Sequence, residues 1–188
     1  LNCMQLALKV SANSCYGFTG STKGLMTCIE VAESTTGAGR DIIHFSSKTI
    51  EREWPGSEVV YGDTDSCFVR LPPHLRDLDD YGLFDLGEEM ANKITKEFAA
   101  GLQLSQQSFV LLEMEKFLRP LALYKKKRYA GLCYEEPGKE PKMCAKGIEM
   151  VRRDAAPLLR KVQEDVLDAI IRKEDAEAGV AIAKSAVE

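Results

Sequence analysis

Between two apolar runs, the segment VVYGDTDSCFV (residues 59–69) sets two aspartates, Asp63 and Asp65, one residue apart. Paired carboxylates are hard oxygen donors suited to a divalent cation, although Asp and Gly also populate turns for purely local reasons. A second group is basic: Lys125, Lys126, Lys127 and Arg128 are consecutive, with Tyr124 and Tyr129 on either side. Cations interleaved with aromatic rings suit a nucleic-acid backbone, and lysines that protect a sheet edge give the same pattern. The third group has helical spacing. Gln5, Lys9, Asn13 and Tyr16 stand at offsets of 0, 4, 8 and 11 residues, within an arc of about 80° at about 100° per residue. The ammonium of such a face meets phosphate as a point charge, and its ring packs on a base or sugar; a solvated helical face reads the same way. Small neighbours, Ser11, Ala12, Ser14 and Gly17, let a planar ligand approach closely. Arg152 and Arg153, beside Asp154, add a further basic group.

The elements that must carry these groups follow from periodicity and breakers. Residues 2–16 suit a helix that breaks at Gly17 and the GFTGSTKG loop. A second helix runs from Thr27 or Ile29 to Glu53, stopped by Pro55 and Gly56. The run Val59–Val69 is predicted as strand, sharp turn, strand, with Glu58 and Arg70 marking its ends and Gly62 giving the turn its backbone freedom. Leu86, Met90, Ile94 and Phe98 recur four apart, giving a helix over residues 85–100. Strand-like runs follow at SFVLLEMEKFL, LALYKKKRYAGLCYE and MCAKGIEMV, the last two separated by the turn EPGKEPK. A strand through Lys125–Arg128 points charge to both faces of its sheet, so neither face there is a dry core. Glu113 and Glu115, two apart on the first of these strands, share a face. From Ala155 onward the composition is helical, interrupted at Gly179. This order predicts an α+β domain whose last helix belongs to a neighbouring unit.

Composition sets the outer bounds. The chain has 188 residues, 45% of them hydrophobic, enough for one sizeable core or a small domain plus part of another. Six cysteines show no C-x-x-C spacing, which points to core thiols in a reducing compartment and against structural zinc. No stretch approaches the roughly twenty apolar residues of a membrane span, and a chain that begins at Leu1 without Met or signal-peptide layout is expected to be an internal piece of something longer. The net charge of -4 conceals segregation: residues 1–115 carry 9 Lys+Arg against 17 Asp+Glu, and residues 116–161 carry 13 against 5. Such a division suits cations held in one place and phosphates in another.

An acidic hairpin for a divalent cation, a Lys-bearing helix for a triphosphate and a basic segment for a duplex backbone together suit phosphoryl transfer to a nucleic-acid end, chemistry that employs two metal ions about 4 Å apart. At this point the motifs KVSANSCYGFTG (9–20), YGDTDS (61–66) and KKRYAG (126–131), with EMEK (113–116) and KGIEMVRRD (146–154), come in sequence order. The chain up to about residue 160 resembles family B DNA polymerases, in particular the delta-type replicative catalytic subunit and its viral relatives.

The resemblance implies the second half of a polymerase palm. Residues 1–28 would end the fingers and enter the palm, 29–154 would carry the DTD hairpin and the KKRY strand, and 155–188 would start the thumb. It implies that Asp65 is a catalytic metal ligand with Asp63 close by, in a two-metal Mg2+ mechanism. Lys9 would contact the incoming deoxynucleoside triphosphate, and Asn13, Tyr16 and Gly17 would line the nascent base-pair pocket. Lys126, Lys127, Arg128 and Tyr129, with Arg152 and Arg153, would hold primer-template DNA, and Glu115 or Glu113 would add negative charge near the metals. Accessory subunits or a sliding clamp are not encoded here, and the location implied is the nucleus, or an infected host cell for a viral source. Two features depart from the pattern: Met4 stands where delta-type relatives have Arg, and no D-x-x-S-L-Y-P motif for the other metal-binding Asp is present. By itself the chain is therefore expected not to polymerise. Two alternatives stay open, a nucleic-acid-binding paralogue without activity and a haloacid-dehalogenase-like phosphohydrolase, whose D-x-D spacing is satisfied but whose parallel sheet is not expected.

Overall fold

The computed structural model describes residues 2–63, 65–101 and 110–186. The chain divides into two compact units, Leu1–Arg70 and Leu71–Glu188. Each holds one antiparallel sheet, two-stranded in the first and three-stranded in the second, so the mixed α+β composition is as expected.

In the first unit, helix α1 (Asn2–Thr19) packs its end against helix α2 (Ile29–Glu53), and α2 carries the sheet. The join is tight: a Cβ on Gly20 would meet the Ala32 methyl at 3.3 Å. Glu30 in the first turn of α2 and Arg52 in its last complement the helix dipole. After it, Trp54-Pro55-Gly56-Ser57 forms a turn closed by the Ser57 N–H donating to the Trp54 carbonyl at 3.0 Å, with Gly56 at φ 88°. Pro second and a left-handed Gly third are what such a turn requires. It delivers β1 (Glu58–Asp63) onto α2, where a Cβ on Gly62 would meet Ile43 at 3.7 Å. Strand β2 (Ser66–Arg70) returns antiparallel. Glu58 and Arg70 pair in register and as ions, and the paired Tyr61 and Phe68 bring their ring centroids to 5.4 Å.

In the second unit, the short helix α3 (Pro73–Arg76) precedes α4 (Asp80–Gly101). Residues 110–116 lie extended beside α4, where the Leu112 N–H donates to the Thr95 hydroxyl at 3.0 Å and Met114 fills the space over Gly87. Strands β3 (Phe117–Lys125), β4 (Arg128–Tyr134) and β5 (Lys142–Lys146) form the sheet in that order. The core is one face of this sheet, Ala130 with Ala122, Leu132 and Ala145, covered by Ile148, Leu167 and Ile171. The last two come from helix α5 (Pro157–Leu167) and the wide turn Asp168–Arg172 that extends it. Helix α6 (Ala176–Ser185) follows, capped by the Asp175 carboxylate accepting the Ala178 N–H at 2.8 Å.

Several expectations need correction. Helix α1 runs through Gly17 to Thr19. Gly62 sits inside β1, paired with Cys67 and without a left-handed φ, so it does not serve the turn. Residues 110–116 form no strand ladder, and the Leu112 N–H donates to the Thr95 hydroxyl of α4 instead; Ser108 and Phe109, with which that run starts, lie outside the described residues. The basic run is not inside a strand. Lys126 and Lys127 form the turn of a β3–β4 hairpin in which Lys125 opposes Arg128, which removes the need to bury charge on either sheet face. The C-terminal helices break at residues 173–175, with Glu174 at φ 55°, and Gly179 lies buried within α6. Of the six cysteines only Cys133 is fully buried, while Cys3 and Cys15 are exposed on α1.

The basic turn depends on a backbone crossing. Lys127 takes φ 62°, left-handed space that favours Gly or Asn, and Gly147 at φ 65° lies so close that a Cβ there would stand 2.0 Å from the Lys127 carbonyl oxygen. Gly147→Ala is expected to destabilise the second unit by about 2–3 kcal/mol, read as a lowered melting temperature and faster proteolysis at the turn. Burial, with a hydrogen bond to Cys144, pushes the Cys133 thiol from 9.0 up to about 12. A group whose folded pKa is raised contributes stability fully present below pH 9.0 and lost as pH rises toward 12. Melting temperatures are therefore expected to fall across that window, and less steeply in Cys133→Ala.

Candidate functional site

The hairpin tip is built by strand pairing. Asp63 closes β1 opposite Ser66, and Asp65 lies in the connection with its N–H donating to the Asp63 carbonyl at 2.7 Å. The Ser66 hydroxyl donates to the same carbonyl at 3.3 Å. Asp65 is exposed and Asp63 half-buried. The ladder bulges between Val59 and Tyr61, and such a bulge turns the end of a strand. Beside it a cleft of about 530 Å3 opens between α2 and β1, lined by Arg40, His44 and Ser47 on one wall and Val59 to Asp63 on the other. The donors at the tip are carboxylate oxygens, hard ligands that fit Mg2+. Burial pushes the neighbouring Cys67 thiol up. Among the described residues no three His, Cys, Asp or Glu side chains converge; the tip itself offers the two carboxylates of Asp63 and Asp65. The antiparallel hairpin also lacks the parallel crossover setting that a dehalogenase-like phosphohydrolase needs.

Helix α1 carries Gln5, Lys9, Asn13 and Tyr16 as spaced in the sequence, and all four are exposed, as is Gly17. Helix α2 packs on both α1 and β1, so it is the piece that fixes this polar face and the hairpin within one unit.

The basic group belongs to the second unit. Lys125, Lys126 and Lys127 are exposed, while Arg128 is half-buried and pairs with Glu149 at 3.5 Å. Of the two flanking tyrosines, Tyr124 presents its ring to solvent at 59% exposure, whereas Tyr129 is 8% exposed. Glu149 opens a 3-10 turn (Glu149–Val151) after β5. Hydrogen bonds to its own backbone and from Gln163, with Arg128 and Arg152 nearby, hold its carboxyl below the usual range. Arg152 is occupied by Asp154 in a two-point pair, and that hydrogen bond above all lowers the Asp154 carboxyl to about 2. Arg153 remains exposed, its carbonyl accepting from the Arg160 guanidinium at 2.9 Å.

Glu113 and Glu115 are both exposed, alternating with half-buried Leu112, Met114 and Lys116. They share a face as expected, although by extension rather than in a strand, and Glu115 pairs with Lys116 at 2.8 Å. They lie in the second unit and the hairpin in the first. Sequence reasoning gave no role to Arg40, His44, Glu149 or Gln163. The spacing of Arg40 and His44, four apart on α2 and aimed with Ser47 toward β1, was a legible signal for the first pair. Nothing local marks Gln163.

The sequence profile of DNA polymerase family B matches residues 1–188. The chain is 40% identical over 182 residues to the DNA polymerase delta catalytic subunit of Candida albicans, covering 93% of this chain and 16% of that one. It is 38% identical over 195 residues to the DNA polymerase delta catalytic subunit of Plasmodium falciparum (100% and 17%). A DNA polymerase of Paramecium bursaria Chlorella virus NY2A is 37% identical over 179 residues (94% and 18%). The chain thus spans less than a fifth of the length of these relatives. With its amide- and Lys-bearing helix, acidic hairpin and basic turn in this order, the chain belongs to DNA polymerase family B.

Proposed function

We propose that this chain supplies part of the active centre of a DNA-directed DNA polymerase, a nucleotidyltransferase that extends a primer 3'-hydroxyl in DNA replication. In this reading residues 1–28 end the fingers, 29–154 form palm, and 155–188 begin the thumb. The observation that carries it is the antiparallel hairpin with Asp63 and Asp65 at its tip, in a chain matched throughout by the family.

Asp65, exposed in the connection, is the residue to hold Mg2+, with Asp63 at the strand end close by. Bound there, the cation supplies Lewis-acid activation of the primer hydroxyl and stabilises charge on the α-phosphate. The remaining work is positional and electrostatic. Lys9 offsets charge on the leaving phosphates, while Asn13, Tyr16 and Gly17 shape the space for the nascent base pair. Lys126, Lys127 and Arg128 hold the primer-template backbone, with Tyr129 buried beneath them as support and Arg152 and Arg153 at the margin. The substrates are then primer-template DNA and deoxynucleoside triphosphates, in a nucleus or an infected host cell. Accessory replication subunits would bind outside this region. Among the described residues no helix is long and apolar enough to cross a membrane.

In the complete protein, Asp65→Ala is expected to lower nucleotide addition by at least about a thousandfold, as loss of a metal-holding carboxylate does, while gel-shift affinity for primer-template stays within about twofold. Unchanged activity would remove Asp65 from the mechanism, and no activity even before the substitution would favour the DNA-binding paralogue. Lys9→Ala should raise KM for the triphosphate by about tenfold or more, the scale of one charge-assisted phosphate contact, with little change in DNA affinity. Steady-state kinetics at saturating primer-template separates these effects.

A further inference from the structure

Arg128 is the one member of the basic run that is half-buried rather than exposed. It begins β4 opposite Lys125, is half-buried, and its Nη1 stands 3.5 Å from Oε1 of Glu149. At that length the pair restrains the guanidinium without consuming it. Among the described residues its other N–H groups have no protein acceptor, and a guanidinium carries five in a planar fork.

Glu149 is itself pinned. It lies between Ile148, which is 3% exposed in the core, and Met150, which packs against that core. Gln163 of α5 spans the same two residues: its Oε1 accepts the Met150 N–H at 2.6 Å, and its Nε2 donates to Glu149 Oε2 at 3.3 Å. Only one orientation of the amide satisfies both bonds. A carboxylate this close to a nucleic-acid-binding turn would otherwise repel phosphate, so holding it in place needs a reason.

We propose that Glu149 is a positioning residue, fixed by Gln163, that orients the Arg128 guanidinium toward the primer-template backbone and so couples the grip of the Lys126–Lys127 turn to helix α5. The inference rests on the primer-template role proposed for that turn. It assigns Glu149 an effect opposite in sign to that of a bystander carboxylate. Removing a bystander strengthens DNA binding by relieving repulsion; removing a positioning group weakens it, and only while Arg128 is present.

The test uses the complete protein with Glu149→Gln, Gln163→Leu, Arg128→Ala, Lys126→Ala and the Glu149→Gln/Arg128→Ala double variant. Primer-template affinity is measured by fluorescence anisotropy between about 50 and 200 mM salt, with melting temperature measured in parallel. Expected are a loss of about fivefold for Glu149→Gln at nearly unchanged melting temperature, a similar loss for Gln163→Leu with a lowered melting temperature because the Met150 N–H loses its acceptor, a larger loss for Arg128→Ala with a salt slope reduced by about one, and a double variant no weaker than Arg128→Ala alone. Equal or tighter binding by Glu149→Gln, or losses that multiply in the double variant, overturns the proposal. A lowered melting temperature with unchanged affinity also overturns it, leaving Glu149 a structural tie. If Lys126→Ala weakens binding while Glu149→Gln does not, the positioning role alone fails. If Lys126→Ala and Arg128→Ala both leave affinity and slope unchanged, the primer-template reading of the turn fails, and this inference with it.

Discussion

Antiparallel strand pairing is the interaction on which both charge clusters depend. Each sits at the end of a hairpin, where like charges are crowded: Asp63 closing β1 with Asp65 in the connection, and Lys125 to Arg128 across the turn that joins β3 to β4. Two like charges about 4 Å apart in water repel by about 1 kcal/mol, and cross-strand pairs return about 0.2–1 kcal/mol each. In the first hairpin the Tyr61–Phe68 contact and the Glu58–Arg70 ion pair close the ladder behind the carboxylates. In the second the stacked Phe117 and Tyr134, with centroids 4.3 Å apart, close its far end. The crowding is thereby confined to hairpin ends close to water, where it costs little.

Behind each hairpin stands a helix that fixes its direction. Helix α2 packs on β1 and shares with Asp63 the cleft lined by Ile43, His44 and Ser47. In the second unit, Leu167 and Ile171 from α5 and its extension cover the sheet, and Gln163, one turn earlier, reaches the segment after β5. The basic turn is thus tied to α5 through apolar packing and through polar contacts.

Legibility followed the range of the interactions. Helix α2 and the DTD hairpin could be read almost to the residue, because Pro55, Gly56 and the alternation of residues 58–70 act locally. The polar face of α1 was legible for the same reason, since helical spacing alone groups Gln5, Lys9, Asn13 and Tyr16. The basic run misled, because four consecutive cations carry no turn signal and Lys127 adopts a conformation that sequence assigns to Gly or Asn. Residues 110–116 misled as well, since an alternating pattern does not reveal whether its partner is a strand or, as here, the side of α4.

By itself the sequence determined the family, the order of the three charged groups and the α+β composition, all properties of residue type and spacing. Only the tertiary structure decided which of those charges are committed. It gave Arg128 to Glu149 and Arg152 to Asp154, left Arg153 exposed, and buried Tyr129 while presenting Tyr124. Arg128 and Glu149 are 21 residues apart, and Glu149 and Gln163 are 14. Contacts at such separations exist only after β4 and β5 have paired and α5 has packed on the sheet, and no local rule contains them.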